Sequence, residues 1–351
     1  MNVAKSGPRI AATIGQGTCS ESMLRVLAEA GVRVFRYNLA AQIGYERNFQ
    51  RMAAFRSVRA SLNSEIFLML DLPLPGAKFR IGMLPEPRHL INAGTVLTFR
   101  SGVETSDISC GVPVQAPALG TKVVAGQTVT VGDGELSLQV IDIVDEDSFT
   151  ARALTTHYLP CQKSLNIGHT ASVDLDEAEE LISFVADARP DFIALSFVEE
   201  PADSALVFDR LAKCGLHRDD YSAIAKIETL RGVHNVAEIA KHFDMLMVAR
   251  GDLALNIDYC YLGEVEEHLI KEARRLGVAC MVATQICESS ASSAIPNRAE
   301  LSGMYSLAKR EVDYVLLAKE TSSLPNPLAA VDVLRNVLEA AKRPLFSASL
   351  T

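Results

Sequence analysis

The stretch YSAIAKIETLRGVHNVAEIAKHFDMLMVARGDLAL, residues 221–255, decides the fold. It holds two short apolar runs, SAIAKIE (222–228) and MLMVARG (245–251), with a helix-length segment between them. That order reads as strand, helix, strand, the unit of a parallel sheet. Both runs end on charge: Lys226 and Glu228 close the first, and Arg250, Gly251 and Asp252 close the second. On a strand, residues two apart point the same way, so Lys226 and Glu228 share a face among Ala and Ile neighbours. The pair is either a buried structural ion pair or the end of a strand delivering a cation and a metal ligand to a site.

The same pattern recurs along the chain. The other apolar runs are RIAATIG (9–15), RVFRYNL (33–39), IFLMLDL (66–72), FIALSFV (192–198), ACMVATQ (279–285) and DYVLLAKE (313–320). Amphipathic segments lie between them, among them SESMLRVLAEAG (20–31), DEAEELISFVADA (176–188), GEVEEHLIKEARRLG (263–277) and AELSGMYSLAKR (299–310), with a last helix over 327–342. Several start at Ser or Asp and close on Gly, as capped helices do. Eight strands with intervening helices predict an α/β fold, a (β/α)8 TIM barrel rather than an open sheet. From 83 to 167 the pattern shifts to short alternating runs with Gly and Pro turns, as in GTKVVAGQTVTVGDGELSLQV. This predicts a small all-β domain inserted after the third strand, with residues 1–82 and 168–351 forming the barrel.

Composition narrows the function. The chain has 351 residues, 48% hydrophobic and 22% charged, as in ordinary globular proteins. A formal net charge of −9 argues against a general nucleic-acid binder, while leaving room for a local cationic pocket. No apolar run is long enough to predict a membrane span. The N-terminal residues lack the pattern of a signal peptide, so a cytoplasmic protein is expected. Seven scattered cysteines without CxxC or Cys/His spacing predict free thiols rather than disulfides or a zinc site.

In such a barrel the chemistry gathers at the carboxyl ends of the strands. Those ends carry Arg36 and Asn38, Asp71, Ser196, Lys226 and Glu228, Arg250 to Asp252, Thr284 and Gln285, and Glu320 and Thr321. Any one of them could cap a strand; carboxylates, cations and a hydroxyl on one rim read as a site. Glu228 and Asp252 could hold Mg2+ or Mn2+, completed by substrate oxygens and water. Lys226 beside that cation suits a phosphoryl oxygen or, with a lowered pKa, acid–base work. The backbone at ARGDL could hold an anion, and Arg36 and Arg80 suit bidentate phosphate contacts. Together these groups describe a metal-assisted site for a small anionic, phosphorylated substrate.

At this point the residues carry a resemblance. GAKFRIG (76–82), VGDGELSLQV (131–140), DFIALSFVEE (191–200), IAKIETLRGVHN (224–235), MVARGDLAL (247–255), VATQICES (282–289) and PNRAE (296–300) follow one another as in the pyruvate kinase family. The chain resembles that family over nearly its whole length. The resemblance implies transfer of a phosphoryl group between phosphoenolpyruvate and ADP, with Lys226 beside the moving phosphoryl and the enolate. It implies Glu228 and Asp252 as Mg2+ ligands, and the backbone of Ala249, Arg250, Gly251 and Asp252 as the seat of the substrate carboxylate. Thr284 is implied close to the reacting carbons, Ser196 in the substrate set, and Arg36 and Arg80 at phosphates. Asn38, Asp133 and Lys163 fall at nucleotide positions.

The departures cluster. Where the family has Phe-Ser-His-Gly after the asparagine, this chain has Leu39-Ala40-Ala41-Gln42, and Leu72 replaces a threonine. The lost serine and threonine are K+ ligands in the family, and Lys78 stands where K+-independent members carry a lysine. K+ independence is therefore expected. Ser-Gly-Glu-Thr reads Ala318-Lys319-Glu320-Thr321, and the family's C-terminal regulatory domain is expected to be absent, with a homodimer as the assembly. Two other readings stay open: a lyase or decarboxylase working through a pyruvate enolate, and a specialised or non-catalytic paralogue. Retention of Lys226, Glu228, Asp252 and Thr284 counts against the last, and Asp133 and Lys163 in a lid domain favour a nucleotide user.

Overall fold

A computed structural model of the chain describes residues 7–39, 45–63, 65–73, 79–132, 134–167, 179–293 and 295–343. It divides into two compact units: Met1–Pro73 with Ala178–Ala254 and Cys260–Thr351, and Leu74–Glu177 with Leu255–Tyr259.

In the first unit, β1 (Arg9–Thr13), β2 (Val32–Asn38) and β3 (Phe67–Leu72) come first along the chain. The second unit then contributes β4 (Phe79–Arg80), β5 (Arg88–Ile91), β6 (Val96–Ser101), β7 (Val112–Val114), β8 (Thr128–Val131) and β9 (Leu136–Asp145). Its last strands are β10 (Ser148–Ala153), β11 (His157–Pro160) and β12 (Ser164–Asn166). The first unit resumes with β13 (Phe192–Leu195), β14 (Ser222–Ile227), β15 (Met245–Ala249), β16 (Ala279–Ala283) and β17 (Tyr314–Leu317). Its eight strands close into a barrel in the order β1-β17-β16-β15-β14-β13-β3-β2, every pair parallel. The (β/α)8 expectation, with its β-rich insertion after the third strand, is met.

One buried cluster draws a residue from every barrel strand: Ala11, Val34, Met69, Ala194, Ile224, Met247, Met281 and Leu316. The barrel interior is thus a packed core that holds the strand ends rigid. Carboxylates fix the strand starts. Asp191, Asp244 and Asp313 each precede a strand and accept the N–H of Leu68, Ala223 and Cys280 at 2.7, 2.7 and 2.8 Å. The helices end as their cap residues dictate. Ser20 accepts the Met23 N–H at 3.3 Å ahead of Glu21–Glu29, and Gly277, at φ 75°, stops Leu262–Leu276 in the left-handed conformation that glycine tolerates.

Two strands fall furthest short of their apolar runs. The run 192–198 leaves the ladder after Leu195 and places Phe197 at φ 53°. The run 313–320 is strand only over Tyr314–Leu317, because a helical turn begins at Lys319. Both early exits bring backbone N–H groups to the rim.

The second unit has its own core, in which Phe99 and Phe149 stack at 5.1 Å between centroids. Its main sheet runs β4-β12-β8-β9-β10-β6-β7, with β11 and β5 as a separate pair. Among the described residues, no helix is long and apolar enough to cross a membrane.

Candidate active site

At the carboxyl end of the barrel, β2, β3, β13 and β14 bring four charges and a hydroxyl together. Asp71, on β3 and almost fully buried, is the hub. Its Oδ2 accepts from Arg36 Nε at 2.8 Å, and Arg36 Nη2 lies 2.7 Å from the same oxygen. Lys226 Nζ lies 3.3 Å from the same carboxylate and donates to Ser196 Oγ at 2.8 Å. Arg36 also donates to Thr13 Oγ1 at 2.8 Å. Burial alone would raise the Asp71 carboxyl, but Lys226 and Arg36 hold it below the usual carboxylate range. Burial likewise opposes the Lys226 ammonium, yet Asp71 and Glu228 keep it charged and above its ordinary value.

Glu228 completes the group from just beyond β14. Its Oε2 accepts the Phe197 N–H at 2.6 Å, which explains the left-handed backbone there. Its Oε1 lies 3.2 Å from Lys226 Nζ, close enough for charge attraction, yet off the line of a hydrogen bond, and it has no hydrogen-bond partner among the described residues. Burial pushes the Glu228 carboxyl up to about 7; Lys226 opposes the shift and Asp252 adds to it. The Asp252 charge acts on Lys226 as well.

A second group lies at the ends of β15 and β16. The short helix Arg250–Asn256 starts directly after β15. Thr284 Oγ1 accepts the Gly251 N–H at 2.8 Å and donates to the Ala283 carbonyl at 2.6 Å. The Arg250 guanidinium reaches the carbonyls of Thr284 (2.6 Å) and Gln285 (2.9 Å). Arg250, Gly251 and Thr284 are thus one hydrogen-bonded constellation, directly after Ala249 at the end of β15.

Asn38, Arg80 and Lys163 complete the expected residues that the structure describes. Asn38 is exposed at the end of β2, in register with Asp71. In the second unit, Arg80 on β4 donates to the Gln162 carbonyl at 3.0 Å, and Lys163 accepts the Ile81 N–H on its carbonyl at 2.9 Å. Lys78, Ala40 and Asp133 lie outside the described residues. The sequence puts Asp71 on the rim without a role; its place as the hub follows from contacts with Arg36, Lys226 and Ser196 (3.4 Å), which lie far apart in the chain and which only folding brings together.

The order of motifs on this barrel has a match among known families. The model described as "Pyruvate kinase, barrel domain" matches residues 6–331. The chain belongs to the pyruvate kinase family. A pyruvate kinase of Chlamydia pneumoniae is 29% identical over 340 residues, covering 96% of this chain and 69% of the relative. One of Thermotoga maritima is 29% identical over 347 residues, covering 96% and 71%. The crystal structure of a pyruvate kinase from Cryptosporidium parvum superposes with a TM-score of 0.83 at 28% identity, covering 97% of this chain and 70% of that one. Within the pyruvate kinase family, then, the Arg36–Asp71–Lys226–Glu228 cluster sits on the barrel domain that defines the match.

Proposed function

We propose that the protein is a divalent-metal-dependent phosphotransferase, moving a phosphoryl group from phosphoenolpyruvate to ADP to give pyruvate and ATP. One observation carries this reading: a buried lysine and a buried glutamate share the rim, and the glutamate keeps one oxygen without a hydrogen bond. A buried carboxylate oxygen left so is costly unless a cation completes it. Glu228 with nearby Asp252 therefore fits Mg2+ or Mn2+. No cluster of three or more ligating side chains exists among the described residues. Substrate oxygens and water would complete such a site.

In the reaction, an oxygen of the ADP β-phosphate attacks phosphorus and the bond from phosphorus to the enol oxygen breaks. The enolate left behind takes a proton at carbon to become pyruvate. Charge builds first on the phosphoryl oxygens and then on the enolate oxygen. Lys226, held charged by Asp71 and fixed by Ser196, is the preorganised cation for both. Arg36, pinned by Asp71 and Thr13, is the phosphate-facing fork, and Arg80 of the second unit is assigned the same type of contact. When bound, the divalent ion supplies neutralisation of the in-flight phosphoryl charge. The turn Ala249–Asp252 seats the substrate carboxylate, and the bond from Gly251 to Thr284 ties that seat to the residue assigned to the reacting carbons. Asn38, Asp133 and Lys163 are assigned to the nucleotide.

The same reading holds that K+ is not needed. Ala40 and Leu72 bring no oxygen ligand, Lys78 adds a positive charge, and the Asp71 oxygens are already engaged by Arg36 and Lys226. The test is ATP formation from phosphoenolpyruvate and ADP with Mg2+, with and without K+, with oxaloacetate decarboxylation assayed alongside. Equal ATP formation in both buffers supports the reading. Decarboxylation without any phosphoryl transfer would replace it with a lyase.

A further inference from the structure

The turn that carries Thr284 is held from two sides by opposite charges. Thr284 and Gln285 both adopt left-handed backbone, at φ 72° and 50°. For residues with a Cβ this conformation costs roughly 1–2 kcal/mol each, and a β-branched threonine is poorly suited to it. Gln285 and Ile286 line a cavity of about 400 Å³ that Arg250 also borders, while the Ile286 and Cys287 side chains are buried. Hydrogen bonds fix the backbone of the turn from both sides. The Glu320 carboxylate, 1% exposed, takes the Ile286 and Cys287 N–H groups on Oε1 at 2.9 and 3.0 Å, and the Ala318 N–H on Oε2 at 2.7 Å. On the other side the Arg250 guanidinium grips the Thr284 and Gln285 carbonyls and is itself steadied by Glu266 at 3.4 Å.

We propose that Glu320 is a positioning residue for Thr284: it anchors the strained turn so that the Thr284 hydroxyl stays on Gly251 and in the site. This rests on the reading above, in which Thr284 meets the reacting carbons. Three N–H donors converge on one side chain, which only a carboxylate can satisfy. Glutamine would offer one oxygen and turn an NH2 toward a donor. Aspartate is one methylene too short to span Ile286, Cys287 and Ala318 together.

The test uses Glu320→Gln alone and combined with Gln285→Gly, in the full chain. Glu320→Gln is expected to lower kcat by up to about 100-fold, the size of effect a displaced reacting group produces, with KM for phosphoenolpyruvate little changed. Gln285→Gly in that background should restore part of kcat, since glycine takes the left-handed conformation without strain. A role for Glu320 unrelated to the turn would give no rescue. Two readouts need no activity: faster alkylation of buried Cys287 in Glu320→Gln, followed by mass spectrometry, and hydrogen exchange of the wild type, in which the Ile286 and Cys287 amides should be strongly protected. Wild-type kcat in Glu320→Gln, or fast exchange at those two amides in the wild type, overturns the inference. If the wild type transfers no phosphoryl group the functional reading falls, and the exchange and alkylation results decide the anchor by themselves. If Glu320→Gln does not fold, wild-type exchange still decides it.

Discussion

Lys226 Nζ lies 3.2 Å from Glu228 Oε1, and both side chains are buried at the rim of the barrel without a hydrogen bond between them. Charge attraction without a directed bond leaves the carboxylate oxygen available to a cation while keeping the ammonium charged. The pair is therefore an ion pair and, in the reading proposed here, half of a metal site at once.

Removing one partner of such a cluster leaves buried charge uncompensated. Lys226→Met leaves Glu228 without its buried counter-charge and Asp71 with Arg36 alone, and is expected to cost about 3–5 kcal/mol in urea unfolding of the metal-free protein. Asp71→Asn added to it should recover part of that loss. Losses that simply add in the double variant would show that the two residues are not coupled.

Glu228→Gln keeps an acceptor for the Phe197 N–H but removes the ligand charge. Mn2+ affinity, read by titration calorimetry, should fall at least about tenfold, the lower end of what loss of even an outer-sphere partner costs. Stability without metal should fall less than in Lys226→Met, because Asp71 still partners Lys226. Unchanged Mn2+ binding would remove Glu228 from the metal site.

The thiols give a pH prediction away from the site. Cys110, Cys214 and Cys260 are exposed, whereas Cys280 and Cys287 are buried, with burial pushing their thiols up to about 12 and about 11. The folded chain favours the neutral thiol. That contribution is therefore intact below the ordinary thiol value of 9.0 and is lost as pH rises toward about 12. At pH near 8 a thiol reagent should label the exposed three quickly and spare Cys280 and Cys287. Cys280→Ala should lessen the alkaline loss of stability seen in urea titrations; an identical alkaline profile would contradict this.

The barrel was legible because eight apolar runs recur with helix-length spacing, and burial on both faces demands such runs. Their ends were less legible. The run at 192–198 stays apolar past Leu195, while the backbone leaves the ladder to offer the Phe197 N–H to Glu228. The charged residues of the rim could be listed from strand ends, but not their connections: Asp71 joins Arg36 of β2 to Lys226 of β14 only through barrel closure. The Glu320 anchor was hidden for a different reason. Thr284 and Gln285 are neither Gly nor Asn, so nothing local announces a left-handed turn there.

The central claim is that the Lys226–Glu228 rim transfers a phosphoryl group and does not merely release it. Phosphorus NMR of the purified chain with phosphoenolpyruvate, ADP and Mg2+ tests this most directly. The expected result is loss of the phosphoenolpyruvate resonance matched by growth of the ATP γ-phosphate, in K+-free buffer, with Lys226→Met inactive. Inorganic phosphate in place of ATP, or no change in the wild type, would contradict it.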